Sequence, residues 1–225
     1  MTFKAIAFDF DGVVLESAAV KSEALAALFA GHPGHVAEIV ALHERHAGIS
    51  RFVKFDLIFR DILKKPLDPG RREELGRKFS ALVLEKVLAT PFVAGAREFI
   101  EANHRATPLY VVSGTPQGEL KTIVARRGLA RHFRGIFGSP REKPEILRAI
   151  LAERGLEPAA LAFVGDGLSD HEAAAETSVA FVGRVAEGRA SPFPPGTPTV
   201  PDLRRLDRAL AAIGDKAAVA GTAKA

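Results

Sequence analysis

Short apolar runs and longer amphipathic segments alternate through most of the chain. Four runs rich in β-branched and aromatic residues are typical of buried parallel strands, at residues 4–9, 108–113, 161–165 and 179–182. Weaker patterns predict a fifth strand at 135–137 and an edge strand at 197–200. Helical patterns fall between these runs, at residues 94–103, 116–127, 143–154 and 168–177. The alternation predicts an α/β fold in which helices cover both faces of a parallel sheet.

The segment from residue 16 to residue 90 breaks this alternation. It contains no strand pattern, and its apolar positions recur at helical spacing in four stretches, at residues 18–30, 35–47, 50–63 and 70–88. We therefore predict a helical insertion (residues 16–90) within a core formed by residues 1–15 and 91–215. The pattern also predicts a last helix at 202–213 and a disordered tail at 216–225.

Composition narrows the classes of function. Hydrophobic residues make up 47% of the chain and charged residues 26%, as in ordinary globular proteins. No apolar run approaches the roughly 18 residues that span a bilayer, and the first residues enter a strand pattern without a signal-peptide layout. We therefore expect a cytoplasmic protein with no membrane partner. Cysteine is absent, so a metal site must use oxygen or imidazole ligands.

Charge and aromatic content argue against a nucleic-acid partner. The formal net charge is only +4, and the basic residues are scattered over predicted helix faces. With no Trp and one Tyr, the chain also has few side chains on which bases could stack. The surplus of basic residues is better matched to anionic small molecules.

Candidate chemistry begins where the first predicted strand ends. Asp9 and Asp11 lie two residues apart at that end, where open α/β sheets bind their ligands, and Gly12 allows a sharp turn. Burying two carboxylates is costly unless a cation compensates them. The motif therefore indicates a metal, a phosphate-binding environment, or both; an exposed acidic turn is the alternative.

Three further polar signals follow predicted strands or open predicted helices. Ser113 and Gly114 form a strand-to-helix turn whose N–H groups could hold an anion. Lys143 opens a helix, and Asp166 and Asp170 follow another buried strand. Taken singly, these residues are more often a helix cap, a surface lysine and first-turn acids. Four such signals at neighbouring strand ends are hard to explain as coincidence.

In order and spacing, the four motifs resemble those of the haloacid dehalogenase-like superfamily, in the branch of phosphoglycolate phosphatase and β-phosphoglucomutase. The resemblance covers essentially the whole chain. It implies a Rossmann-like core with helices on both faces and an α-helical cap inserted after the first motif. Where that branch usually continues with Thr or Val and a downstream Asp-Ser, this chain has Val13 and Glu16-Ser17. That departure leaves the aspartate pair intact.

The resemblance implies catalytic roles for four residues. Asp9 would be the nucleophile that attacks phosphorus, and Asp11 would protonate the leaving oxygen and then deprotonate water. Ser113 would bind phosphate oxygens, and Lys143 would balance the charge of Asp9 and of the transferring group. The implied phosphate-binding residues are Gly12, Ser113, Gly114 and Lys143.

A magnesium site is also implied by the resemblance. Asp166 would ligate the metal, Asp9 would share it, and the backbone carbonyl of Asp11 would complete the protein ligands. Asp170 would lie beside Asp166. It would either bind the metal through a water molecule or support the direct ligands without contacting the metal. A carboxylate-rich site without Cys or paired His favours Mg²⁺, which retains several waters and bridges to phosphate.

In the helical insertion, the stretch around Gly48 joins two predicted helices and is locally cationic. Loops at this position in the related branch contact the part of the substrate that is not phosphate. We expect Arg51, assisted by Lys54 or His46, to bind an anionic or hydroxylated leaving group. A solvated helix start capped by Ser50 is an equally good interpretation. Lys21 and Glu16 are weaker candidates, since a salt bridge on a helix face also explains them.

We therefore predict a Mg²⁺-dependent phosphatase that hydrolyses a small phosphorylated metabolite through an aspartyl-phosphate, and that is a monomer or a homodimer. A phosphomutase of the β-phosphoglucomutase type and a non-catalytic binding protein on the same scaffold are the alternatives. Dehalogenases lack an aspartate at the position of Asp11, and phosphonatases place a small residue there, so both chemistries are disfavoured.

Overall fold

A computed structural model describes residues 3–222, and the side chains of residues 3–214. Within that range the chain forms one parallel sheet of six strands in the order β3-β2-β1-β4-β5-β6. The strands are β1 (Ala5–Phe8), β2 (Leu109–Pro116), β3 (Gly135–Ser139), β4 (Leu161–Gly165), β5 (Ala180–Arg184) and β6 (Thr199–Val200). The predicted α/β fold is confirmed. β2 extends past the predicted end at residue 113, because Pro116 pairs with Ser139 beyond a shift in register.

Four α-helices lie within the helical insertion, between β1 and α5 in sequence. They are α1 (Ala18–Leu28), α2 (Val36–Arg45), α3 (Arg51–Leu57) and α4 (Pro69–Ala89). The hydroxyl of Ser50 caps α3 by accepting a hydrogen bond from the N–H of Phe52, and Asp68 caps α4. The third predicted helix does not continue as an α-helix, because residues 58–62 form a π-helical turn after Leu57.

The remaining helices cover the sheet. They are α5 (Ala96–Asn103), α6 (Gln117–Arg126), α7 (Lys143–Arg154), α8 (Leu168–Thr177) and α9 (Leu206–Thr222). Apolar residues of α5, α6 and α9 form one cluster with alternate residues of β1, among them Ile6 and Phe8. Residues of α7 and α8 form a second cluster with Ala5 and Ala7. The two clusters lie on opposite faces of the sheet because successive strand side chains point to opposite sides.

The helical insertion shares the first of these clusters. Phe55 of α3 and Phe79 of α4 are buried in it and meet edge to face, with ring centroids 6.3 Å apart. Phe55 also packs against Phe29 after α1 and against Phe52. The aromatic residues of this stretch are therefore part of the core.

The end of the chain differs from the prediction. α9 runs to Thr222, nine residues beyond the predicted end at 213, because this stretch is rich in alanine, the strongest helix former. The predicted disordered tail therefore starts as helix, and its residues 223–225 lie outside the described part. Among residues 3–222 no helix combines the length and the apolar character that crossing a membrane requires.

Candidate active site

The carboxyl ends of the three central strands, β2, β1 and β4, lie side by side at one edge of the sheet. β1 lies between β2 and β4, and its last residue, Phe8, is in register with Val111 of β2 and Val164 of β4. Asp9 follows β1 directly, and Asp166 follows β4. This edge is where parallel sheets bind their ligands.

Three carboxylates converge at this edge. Oxygen atoms of Asp9, Asp166 and Asp170 all lie within 4.8 Å of one another. Lys143, at the start of α7, donates to Asp9 Oδ2 at 3.0 Å and also to Asp170 Oδ1. Asp170 accepts a further hydrogen bond from the Gly167 N–H at 3.0 Å, which fixes it at the start of α8. Asp9, Lys143 and Asp170 are all buried.

The cluster carries more negative charge than its own lysine offsets. Burial, opposed by Lys143 and reinforced by Asp170, raises the pKa of Asp9 to about 7. Burial and the charge of Asp9 also raise the pKa of Asp166 well above its ordinary value. Lys143 offsets one of the three charges, so a divalent cation would neutralise the other two. All donors are carboxylate oxygens, and this chemistry fits Mg²⁺.

Gly12 makes room for this cluster. Its φ is +76°, and a Cβ there would lie 1.9 Å from Asp166 Oδ2. Asp166 therefore packs directly over the turn that follows β1. The sequence predicts Gly12 as a phosphate-binding residue, and the geometry gives it a second reason to be glycine.

Asp11 faces another set of partners. Its Oδ1 accepts from the Ser17 hydroxyl at 2.6 Å, and its Oδ2 accepts from Lys21 of α1 and from the Thr115 hydroxyl at 3.0 Å. Burial acts to raise the pKa of Asp11, but the charge and hydrogen bond of Lys21 outweigh it and lower the pKa. The Asp11 carboxylate therefore stands outside the group of three. Lys21 is a weaker candidate in the sequence, because a salt bridge on a helix face also explains it. In the structure Lys21 pairs with Asp11 instead.

Ser113 and Gly114 line the same cavity from β2. Ser113 is buried, and its hydroxyl accepts a hydrogen bond from the Thr115 N–H at 3.2 Å. A Cβ on Gly114 would lie 2.4 Å from the carbonyl oxygen of Gly48. This turn of the core is therefore in direct contact with the helical insertion.

Main chain from the insertion covers the cavity. The segment between α2 and α3, here called the roof loop (residues 46–50), is tied to the core by the Ser169 hydroxyl, which donates to Ala47 O at 2.6 Å. Gly48 has a φ of +83°, and a Cβ there would lie 2.7 Å from Lys143 Nζ. Beneath the roof loop is a cavity of about 630 Å³, lined by residues of both the core and the insertion.

Arg51 lines this cavity, but its guanidinium is engaged. It donates to both carboxylate oxygens of Glu119 on α6, at 2.9 and 2.5 Å, and to the Ser80 hydroxyl at 2.8 Å. It also lies over the ring of Phe79, 4.6 Å from the centroid. Arg51 therefore joins the insertion to the core, and its predicted contact with a substrate stays a prediction.

Lys54 and His46, the other predicted residues of the insertion, differ in placement. Lys54 is 4% exposed and lines the cavity, whereas His46 is exposed and lies outside the cavity lining. His46 follows the end of α2 at Arg45, and its predicted contact with a substrate stays a prediction. His43, three residues earlier on α2, lines the cavity and contacts Lys54.

Two further features of the cavity wall are not evident from the motifs. Arg184, at the end of β5, donates to both oxygens of Glu16, at 2.6 and 3.0 Å, and to the Gly12 carbonyl at 3.2 Å. Thr115 binds both Asp11 and Lys21. The sequence does not indicate Thr115, because the predicted strand ends at residue 113 and Thr115 lies beyond it, where the register of β2 shifts.

A family model described as haloacid dehalogenase-like hydrolase matches residues 3–176. No protein of curated function matches the sequence. Among solved structures, a predicted phosphoglycolate phosphatase from Haemophilus somnus has a TM-score of 0.71 at 21% identity, covering 92% of this chain and 98% of that one. CbbY from Rhodobacter sphaeroides, in complex with xylulose-(1,5)bisphosphate, has a TM-score of 0.72 at 16% identity, covering 91% and 96%. The putative hydrolase YfnB from Bacillus subtilis, bound to magnesium, has a TM-score of 0.69 at 18% identity, covering 93% and 99%. These structures share the fold.

Proposed function

The chain belongs to the haloacid dehalogenase-like hydrolases, and from this premise we propose that it is a Mg²⁺-dependent phosphatase of a small phosphomonoester. One observation carries the proposal. Lys143 bridges Asp9 and Asp170 while the Asp166 carboxylate lies within 4.8 Å of both acids, so a nucleophile, a charge-balancing cation and a set of metal ligands share one site. The related phosphatase, CbbY and YfnB structures support this assignment through their common fold.

Asp9 is the nucleophile in this scheme. One of its oxygens forms a bond to phosphorus as the bond between phosphorus and the leaving oxygen breaks, which gives an aspartyl-phosphate. The Phe10 N–H at 2.7 Å from Oδ1 and Lys143 at 3.0 Å from Oδ2 hold the carboxylate in position. Lys143 also offsets the charge that gathers on the phosphoryl oxygens, and Ser113 with the N–H of Gly114 binds those oxygens.

Magnesium, when bound by Asp9, Asp166, Asp170 and the Asp11 carbonyl, would neutralise charge on the carboxylates and on the substrate phosphate. This lowers the repulsion between an anionic nucleophile and an anionic substrate. Asp170 also orients Lys143, because the Lys143 ammonium group donates to both Asp9 and Asp170.

Asp11 transfers the proton in this scheme. It protonates the leaving oxygen, and it then removes a proton from the water that hydrolyses the aspartyl-phosphate. Because Lys21 lowers its pKa, Asp11 is ionised in the geometry seen here, which is the form that the second step requires. For the first step it must take up a proton. The helical insertion acts as a cap that excludes bulk water from the site.

The test is hydrolysis of an aryl phosphate with and without Mg²⁺, followed by release of free phosphate. We expect activity that EDTA removes and that falls to background in Asp9→Asn, because the amide is a poor nucleophile. Asp207→Asn, at an exposed position of α9, is the matched control and should retain wild-type activity. Activity that survives Asp9→Asn, or phosphate transfer without release of free phosphate, would contradict the assignment.

A further inference from the structure

Three of the five lysine and arginine side chains on the cavity wall are paired with a carboxylate, and a fourth, Arg189, is exposed. Lys21 pairs with Asp11, Arg51 with Glu119, and Arg184 with Glu16. Behind the wall, Lys143 pairs with two of the acids. Among the described residues, Lys54 is the one buried cation of this cavity with no carboxylate within 4 Å. Its position therefore calls for an explanation.

Lys54 is placed by α3, on the side of the cavity that the helical insertion supplies. Its ammonium contacts His43 Nδ1 at 3.2 Å and donates to the His43 carbonyl at 3.3 Å. Burial and the charge of Lys54 lower the pKa of His43 to about 3, so the imidazole is neutral and Nδ1 accepts. An ammonium group has three N–H donors, and one of them has no partner among the described residues.

An unpaired ammonium in this setting is costly. Burial, together with the positive charges of Lys21 and Lys143, lowers the pKa of Lys54 to about 7. A neutral side chain such as Met would fill the same space without that cost. A buried charge that weakens the folded state, and that faces a cavity of about 630 Å³, is typical of a binding residue.

Resting on the function proposed above, we propose that Lys54 binds an anionic group on the leaving part of the substrate. The substrate is then a phosphomonoester that carries a second anionic group, either a carboxylate or another phosphate. The transferred phosphoryl group meets Asp9, Ser113 and Lys143 at the strand ends, whereas Lys54 reaches the cavity from the insertion. His43 orients the ammonium group as a positioning residue.

The experiment compares matched substrates that differ in the second anion. Phosphoglycolate is paired with hydroxyethyl phosphate, and a pentulose bisphosphate with the corresponding monophosphate. We expect the wild-type enzyme to prefer one anionic member over its partner, and Lys54→Met to reduce kcat/KM for that member by about tenfold to a hundredfold, mainly through KM. The first pair tests the carboxylate and the second the phosphate.

Two variants control for charge and fold. Lys54→Arg should restore part of the preference, and Lys86→Met, which removes an exposed lysine of α4, should leave it unchanged. Binding measured by calorimetry in an Asp9→Asn background tests the same preference without turnover. Equal affinity of both members of each pair, or a preference that survives Lys54→Met, would overturn the proposal. If the phosphatase assignment itself is wrong, the wild-type protein will hydrolyse none of the substrates. That outcome is distinct from failure of the Lys54 proposal.

Discussion

At the scale of single residues, two neighbouring aspartates of the site have different surroundings, and their pKa values shift in opposite directions. Asp9 has burial and neighbouring acids acting on it, and its pKa rises to about 7, whereas the Lys21 charge and three hydrogen bonds lower the pKa of Asp11. The two residues are only two positions apart in the chain. In the function proposed above, these different environments would suit Asp9 as a nucleophile that shares a metal ion and Asp11 as the group that transfers a proton.

Lys54 should make stability depend on pH. Its pKa is about 7 in the folded chain and near 10.5 when unfolded, so the unfolded state holds more protons between these values and stability rises with pH across that window. The destabilising effect is complete below about pH 7. We therefore expect Lys54→Met to have a higher Tm than the wild type at neutral pH, and the gap to shrink toward pH 10.

Thermal unfolding of both proteins at a series of pH values measures this gap. Lys86→Met is again the control, since its lysine is exposed and its Tm should follow that of the wild type. A gap that does not vary with pH would mean that Lys54 is not the group responsible.

At the scale of elements, the roof loop is the part of the insertion that contacts residues of the core at the candidate active site. It presents main chain to the site: the Gly48 carbonyl packs on Gly114, and Ala47 O accepts from Ser169. A side chain at position 48 would enter the space of Lys143 and Ser169. The sharp turn between α2 and α3 is thus one of the places where the insertion contacts the core.

Gly48→Ala should therefore reduce activity. The new Cβ would lie 2.5 Å from Ser169 Oγ and 2.7 Å from Lys143 Nζ, and a φ of +83° is strained for alanine. We expect kcat/KM for any substrate to fall by about tenfold or more, since small displacements of catalytic groups are costly.

The matched control is Gly31→Ala, which adds the same methyl group to the insertion where nothing lies within 4 Å. It should leave the kinetics unchanged. Equal activity of the two variants would show that the roof loop does not sit on the site as described.

At the scale of the whole molecule, side chains of the insertion and the core are joined across their boundary. The Arg51–Glu119 pair is the buried connection, with side chains 7% and 8% exposed. Arg126 with Glu85 and Arg127 with the carbonyls of Leu88 and Thr90 add contacts near the other end of α4. The contact between the insertion and the core therefore has a polar component besides the shared apolar cluster.

Arg51→Met should destabilise the protein by about 3–5 kcal/mol, because it leaves the Glu119 carboxylate buried beside an apolar side chain. The double variant Arg51→Met/Glu119→Leu should recover most of that loss, since no charge is then stranded. Urea unfolding measures both.

Arg71→Met breaks an exposed pair with Glu74 in the same insertion and should cost less than about 1 kcal/mol. If Arg51→Met costs no more than this control, the buried pair does not hold the two parts together.

The sequence predicts some of these features better than others, for a physical reason. The acids, Ser113 and Lys143 are placed by where strands end and helices begin, and those boundaries follow from local patterns of apolar residues. The Arg51–Glu119 pair joins residues far apart in the chain, so only the packing of the insertion on α6 creates it. His46 and His43 differ by less than one helical turn, and the end of α2 decides which of them reaches the cavity.

The core and the helical insertion each supply part of the cavity wall, and this affects how mutations can change the choice of substrate. Asp9, which would attack phosphorus, directly follows β1 of the core, while Lys54 and His43 belong to the inserted helices. A library of mutations confined to those helices could thus redirect the enzyme to new metabolites while the reaction itself stays intact.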